Sequence, residues 1–254
     1  MFHKYLEGKK VTVNFPKLFM KTILTALTIA ALAGTVAHAA EISGKVKLTG
    51  TPPPEKTITP DAMCGKLAPN GLTTRHYVTG ADKGLGNVFV YVKEGAKPTP
   101  ATGPGMTLDQ VGCQYEPYVM GVQAGQTFNV KNSDAVLHNV HILPKPGGAN
   151  KEKNIGQPVK GMTTPLNFPG AEVLVKFKCD VHPWMFAYVG VLDHPYFAVT
   201  DKDGSYKIAG LPAGDYTVEA FHMKAGSTTS KVTVGADDKK TSDFALEAKA
   251  APAP

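Results

Sequence analysis

Short runs of alternating apolar and polar residues fill most of the chain, and turns rich in Gly and Pro separate them. Residues 42–48 alternate from Ile42 to Leu48 and predict a strand with one wet face. Residues 86–93 carry the apolar run Val88-Phe89-Val90-Tyr91-Val92, a stronger strand signal. Further strands are predicted over 127–131, 137–143, 171–178 and 186–192, with a region of short strands over 113–122. A different rhythm follows: 197–200, 205–208, 215–222, 230–234 and 241–246, spaced by tight turns such as Asp201-Lys202-Asp203-Gly204. Residues 55–85 have weak periodicity and read as an excursion. Residues 144–170 read as a long polar loop. Long helical patterns are missing beyond residue 40, so the fold class is all-β.

The beginning of the chain has a different character. Lys21 is followed by an apolar run over 22–33 and then by Ala37-His38-Ala39, the pattern of an export leader with a small-residue cleavage site. Residues 1–39 are therefore expected to be a signal peptide with an upstream extension, and the protein is expected to be periplasmic or otherwise exported. An uncleaved anchor is the competing reading, but the run is short for a bilayer span. No stable membrane span is expected after cleavage.

The leader also carries most of the charge imbalance. The whole chain has 27 basic and 21 acidic residues. Without Lys4, Lys9, Lys10, Lys17, Lys21 and Glu7 the balance is 22 to 20, a net of +2. Arg75 is the single arginine. That surface does not suit nucleic acid, and no nucleic-acid partner is expected. Arg75 and His76 read as a solvated polar pair without a role.

The candidate chemistry lies in Lys178-Cys179-Asp180-Val181-His182-Pro183-Trp184-Met185. A thiolate, an imidazole and a thioether follow one another at three-residue spacing, so one short loop can aim all three at a point. With a second imidazole from His138, this soft donor set suits copper better than zinc or calcium. The expected cofactor is one type 1 copper per chain, bound by His138, Cys179, His182 and Met185. A buried thiol beside a core methionine is the plain alternative. Of the three cysteines, Cys179 is assigned to the metal. Export to an oxidising compartment then pairs Cys64 with Cys113 in a disulfide. Phe177 and Trp184 are expected to shield the sulfur. His141, His194 and His222 are candidates for a second metal site, or are three separately satisfied histidines.

Two stretches resemble known families. Asn132-Ser133-Asp134 with His138-Asn139-Val140, followed by Cys179-x-x-His182-Pro183-x-Met185, resembles the cupredoxins, and the compact loop is similar to that of amicyanins. The resemblance implies a Greek-key β-sandwich and gives Asn139 the role of steadying the cysteine loop by hydrogen bonding. Thr200-Asp201-x-Asp203-Gly204-x-Tyr206 and Leu211-Pro212-Ala213-Gly214-x-Tyr216-x-Val218 resemble the carboxypeptidase-regulatory, transthyretin-like sandwich. The expected organisation is residues 40–105 as the first strands of the transthyretin-like sandwich plus a disulfide-held excursion. The cupredoxin domain then occupies 106–193, the rest of the transthyretin-like sandwich 194–247, and a disordered tail 248–254. The cupredoxin is thus inserted into the second sandwich. The alternative is an N-terminal extension belonging to the cupredoxin itself. Together the parts resemble exported bacterial cupredoxin-like proteins of the methylamine-utilisation type.

These resemblances imply a mobile carrier of single electrons between redox partners, such as a cytochrome or a periplasmic oxidoreductase. The competing function is copper delivery, storage or resistance. An enzyme is not expected unless a second metal site exists.

Overall fold

The computed structural model describes residues 39–250. The expected leader lies outside the described residues apart from Ala39, as do the tail residues 251–254. No helix among the described residues is long and apolar enough to cross a membrane.

The chain opens with β1 (Ala40–Thr49), β2 (Thr57–Ile58), the six-residue helix α1 (Ala62–Leu67), β3 (Leu72–Thr73) and β4 (Phe89–Glu94). Next come β5 (Met106–Val111), β6 (Gln114–Glu116), β7 (Val119–Gln123), β8 (Phe128–Asn132) and β9 (His138–Leu143). Then follow β10 (Lys153–Gln157), β11 (Thr163–Leu166), β12 (Glu172–Lys178), β13 (Phe186–Leu192) and β14 (Phe197–Val199). The last strands are β15 (Ser205–Leu211), β16 (Gly214–His222), β17 (Gly226–Val234), β18 (Lys239–Thr241) and β19 (Phe244–Glu247). The architecture is all-β in several discrete sheets, with one short α-helix among the described residues.

Two pairs of sheets enclose two cores. In one, β1 pairs with β15, β18 and β19, and this sheet faces the sheet β14-β4-β16-β17. Ile42, Val46, Val90, Ile208, Val218 and Phe244 fill the space between them. In the other, the sheet β10-β9-β12-β13-β7 faces β11-β8-β5-β6 around Leu108, Phe128, Val130, Ile142, Phe177 and Val189. The arrangement matches the expected cupredoxin sandwich and a second β-sandwich.

A third apolar cluster explains the near-continuous hydrophobicity of β4. Successive side chains on a strand point to opposite faces. Val90 and Val92 enter the first core, whereas Phe89 and Tyr91 point the other way, onto Val119, Tyr188 and Leu192 of β7 and β13. β13 is divided in the same manner: Ala187, Val189 and Val191 face the second core, and Tyr188 and Leu192 face the β4 side. Gly190 and Gly121 lie in this seam, where the rings of Phe89 and Phe197 occupy the space a Cβ would need.

Several local readings are corrected. The 144–170 stretch carries two strands, β10 and β11, held by pairing with β9 and β8. Their own residues are mostly exposed, so the apolar alternation that signals a strand is weak there. The excursion contains α1, capped by Asp61, whose carboxylate accepts from the N–H groups of Met63 and Cys64. Strand β12 is not regular: its register shifts between Glu172 and Val175, and Leu174 adopts a positive φ of 57°. At the start of the expected tail, Ala248 N donates to Thr49 O at 2.9 Å and Lys249 N to Tyr77 Oη at 3.1 Å. Arg75 is no idle surface charge. It pairs with Glu116, donates to Tyr115 O at 2.9 Å, and lies over the Tyr118 ring.

Candidate metal centre

The site is assembled where β9 begins and where β12 runs into β13. His138 is the first residue of β9 and is fully buried. Cys179 directly follows β12, and Met185 directly precedes β13; both are 1% exposed. The intervening loop is closed by its own backbone. Cys179 N donates to Met185 O at 3.1 Å, and Met185 N donates to His182 O at 2.9 Å. His182 N in turn points at Cys179 Sγ, 3.4 Å away.

Asn139 ties β9 to this loop. Its Oδ1 accepts from Asp180 N at 2.6 Å and Val181 N at 3.3 Å, and lies 3.3 Å from Cys179 Sγ. Its Nδ2 donates to Asn154 and Asp180. Tyr115 Oη donates to Asn139 O at 2.6 Å, which fixes the same backbone from below. Phe177 is fully buried in the core that also contains Cys179 and Met185. Trp184 lies against the His182 ring, centroids 5.3 Å apart, and donates from Nε1 to Cys113 O.

His138, Cys179 and His182 converge. The two Nδ1 atoms are 3.0 Å apart, and Cys179 Sγ is 3.7 Å from His182 Nδ1. The far side of each ring faces a carboxylate: His138 Nε2 is 2.9 Å from Asp134 Oδ2, and His182 Nε2 is 3.4 Å from Asp61 Oδ2. A carboxylate beside Nε2 favours a proton on that nitrogen. Both Nδ1 atoms then point at one buried place beside a sulfur, where they can share a proton or hold a cation. Two imidazoles and a free thiol converging at one buried place are donors that fit a thiophilic transition-metal ion.

The electrostatics agree. Burial alone would raise the pKa of Cys179, but hydrogen bonding from His138 and from the backbone at Asn139, His182 and Val181 outweighs it and holds the thiol below its ordinary value. Burial would lower the pKa of His138, and Asp134 with the Cys179 sulfur overrides it upward. His182 is held low by burial and then by the charge on His138. Asp134 is buried but stays acidic, because His138 and the N–H groups of Cys113 and Gly112 all donate to it.

Asp134 and Asp61 were not legible as partners of the site. Asp134 reads as a turn residue, although it lies four positions before His138 and hence within reach of that ring. Asp61 belongs to the excursion, and only the tertiary fold carries it to His182.

Cys64 and Cys113 are bonded to each other, with Cα atoms 5.6 Å apart, and Cys179 is the free cysteine. The second histidine trio does not assemble. His141 is held between Asp180 and Glu152, each at 2.8 Å. His194 contacts Val92 O through Nε2 and accepts from Tyr196 N through Nδ1. His222 packs against the Tyr77 ring, centroids 5.4 Å apart, and accepts from Lys224 N and Ala225 N. None of the three belongs to a cluster of potential metal donors among the described residues.

The cofactor expectation is corrected accordingly. Three donor clusters occur among the described residues, and two of them run through Cys64 or Cys113. Those sulfurs are in the disulfide and are not free for copper, which conflicts with the expectation of one type 1 copper per chain with room for a second metal. The statement that stands is narrower: one cluster, His138 with Cys179 and His182, has a free thiol and can coordinate a metal.

A family model for the carboxypeptidase regulatory-like domain matches residues 182–247. No curated protein matches the chain. Among solved structures, a copper-containing nitrite reductase from Thermus scotoductus SA-01 is 20% identical over 41% of this chain and 25% of its own, with a TM-score of 0.32. The chain thus corresponds to about a quarter of that enzyme. A point mutant of amicyanin in its Cu(I) form is 23% identical over 40% of this chain and 97% of its own, TM-score 0.30. A purple cupredoxin from Nitrosopumilus maritimus is 26% identical over 31% of this chain and 81% of its own, TM-score 0.27.

Proposed function

We propose that this protein is an exported carrier of single electrons whose centre is a thiophilic, redox-active transition-metal ion. The ion would be held by His138, Cys179 and His182, with Met185 as a weak further donor. The observation that carries this reading is the convergence of two Nδ1 atoms and a free buried sulfur on one place. When bound, the ion supplies a site that gains and loses one electron.

The chain's own residues do the rest. Asp134 and Asp61 hold the two rings with Nδ1 inward. Asn139 fixes the loop that presents the sulfur. Phe177, Trp184 and the closed 179–185 turn keep water away from it. Little of this must move when the charge changes, and a rigid, dry donor set suits electron exchange rather than substrate turnover. With Met185 as the further donor, the ion would be held by protein side chains alone, which favours a carrier over an enzyme. A second redox protein is its partner. Metal delivery or storage is the competing reading, and it requires that the ion leave readily.

In the same reading, residues 106–193 form a sandwich inserted into one built from residues 40–105 and 194–247. β1 pairing with β15, β18 and β19, and β4 pairing with β14 and β16, supports it.

The test is electrochemical. The full chain is purified after export, its metal is named by elemental analysis, and its voltammogram is recorded. A carrier gives a reversible one-electron wave that Cys179→Ser abolishes. A chain that releases its metal to a small chelator within minutes, without such a wave, supports delivery instead.

A further inference from the structure

The Cys64–Cys113 disulfide lies against the metal cluster. Its two sulfurs and a ring nitrogen of His182 lie within 4.8 Å of one another, and all three residues are buried. Cys113 belongs to a second such group with Asp134 and His138. A disulfide that only staples a surface excursion has no need of imidazole neighbours; hydrophobic packing would serve it.

Both cysteines have contacts besides the S–S bond that tie their surroundings to the metal cluster. The N–H of Cys64 donates to Asp61 Oδ1 at 3.0 Å, and the other oxygen of that carboxylate is the one beside His182. The N–H of Cys113 donates to Asp134 at 2.8 Å, and its carbonyl accepts from Trp184 Nε1 at 3.1 Å. Arg75 ties the excursion to β6 through Tyr115 O and Glu116. Two sulfurs and one ring nitrogen, preassembled in a buried place, make a donor set for thiophilic d10 cations.

We infer that the disulfide is a masked metal site: its reduction by a dithiol frees Cys64 and Cys113 to bind, with His182, a thiophilic d10 cation such as Zn(II) or Cd(II). The reductant's two thiols become its own disulfide and pass two electrons and two protons to the two sulfurs. On binding, the new thiols release their protons to water. The inference goes beyond the electron-carrier reading and shares only His182 with it. It makes the number of thiolates offered to metal depend on redox state: one in the oxidised chain, three in the reduced chain.

The full chain is divided in two, and half is treated with dithiothreitol and desalted without oxygen. Thiols are counted, folding is checked by circular dichroism, and both halves are titrated with Cd(II) while the sulfur-to-cadmium absorption is followed. The expected band is about threefold more intense in the reduced chain, one sulfur against three. The double variant Cys64→Ser/Cys113→Ser should stay at the one-sulfur level under either treatment. In Cys179→Ser the reduced chain should keep a two-sulfur band, and His182→Gln added to it should weaken binding. Equal bands in the two halves overturn the inference, as does a chain that yields its extra thiols only on unfolding. An oxidised wild-type chain with no band, beside a reduced Cys179→Ser chain with one, would instead sink the electron-carrier centre and leave the masked site standing.

Discussion

The Nδ1 atoms of His138 and His182 face each other at 3.0 Å while the opposite nitrogen of each ring points at a carboxylate, Asp134 for one and Asp61 for the other. This pairing decides which lone pairs are available, and it makes the two carboxylates part of the site although neither would touch the ion.

Asp134 should be the more important of the two, since it is buried and also holds the N–H groups of Gly112 and Cys113. Asp134→Asn keeps the shape but removes the charge that orients His138. Groups that orient a metal-binding histidine are worth about 10–100-fold in metal affinity. Competitive titration against a chromogenic chelator should show a loss in that range, whereas an unchanged affinity would mean His138 is oriented by packing alone.

Asn139 serves as a backbone clamp. In Asn139→Ala the N–H of Asp180 loses its acceptor, and a part-buried donor left unpaired costs about 1–3 kcal/mol. Urea unfolding of the metal-free chain should register that loss. Metal affinity should fall as well, because the loop presenting Cys179 is no longer tied to β9. Asn139→Asp keeps an acceptor but sets an oxygen where Nδ2 donated to Asp180, so it should not recover the lost stability.

The buried His222 makes folding sensitive to acid far from the metal. Burial pushes its pKa from 6.5 to about 4. Its Nδ1 accepts two backbone N–H groups, and a proton there would end both bonds. The unfolded chain takes up this proton near pH 6.5 and the folded chain only near 4, so the unfolded state binds more protons in between and stability rises with pH. The contribution is complete above about 6.5 and is lost as pH falls toward 4. At about 1.4 kcal/mol per pKa unit the loss amounts to about 3 kcal/mol. His222→Gln should flatten that part of the profile of unfolding free energy against pH; an identical slope in the variant would show that other groups are responsible.

The seam between β4 and β13 has no room at Gly190. A Cβ there would stand 2.3 Å from Phe89 Cζ, and a packed aromatic ring cannot swing aside as a flexible chain end could. Gly190→Ala should therefore destabilise by about 1–3 kcal/mol, as overpacked cores do. Combining it with Phe89→Leu should return part of the loss, and a purely additive double variant would place the strain elsewhere.

Much of this was legible in the chain. The alternation over residues 42–48 gave a strand with one wet face, and residues 127–131 and the apolar run at 88–92 gave strands; that β4 is covered on both faces came from the fold. Cys179, His182 and Met185 announced a site because three soft donors share one short turn. What was hidden depended on long-range contact. Asp61 reaches His182 only because α1 is seated by the disulfide and by its own cap. β10 and β11 are edge strands with exposed side chains, so no apolar alternation marks them. The histidine trio failed for the opposite reason: residue type alone suggested a metal, while His194 and His222 already had backbone partners of their own.

The most direct test of the account is a Co(II) titration of the oxidised, metal-free chain, read by its near-ultraviolet sulfur-to-cobalt charge-transfer band. The account predicts one ion per chain and one thiolate band, present in the wild type, absent in Cys179→Ser and strongly weakened in His138→Ala. A wild-type chain that takes up Co(II) without that band, or that keeps it in Cys179→Ser, would contradict the centre at His138, Cys179 and His182.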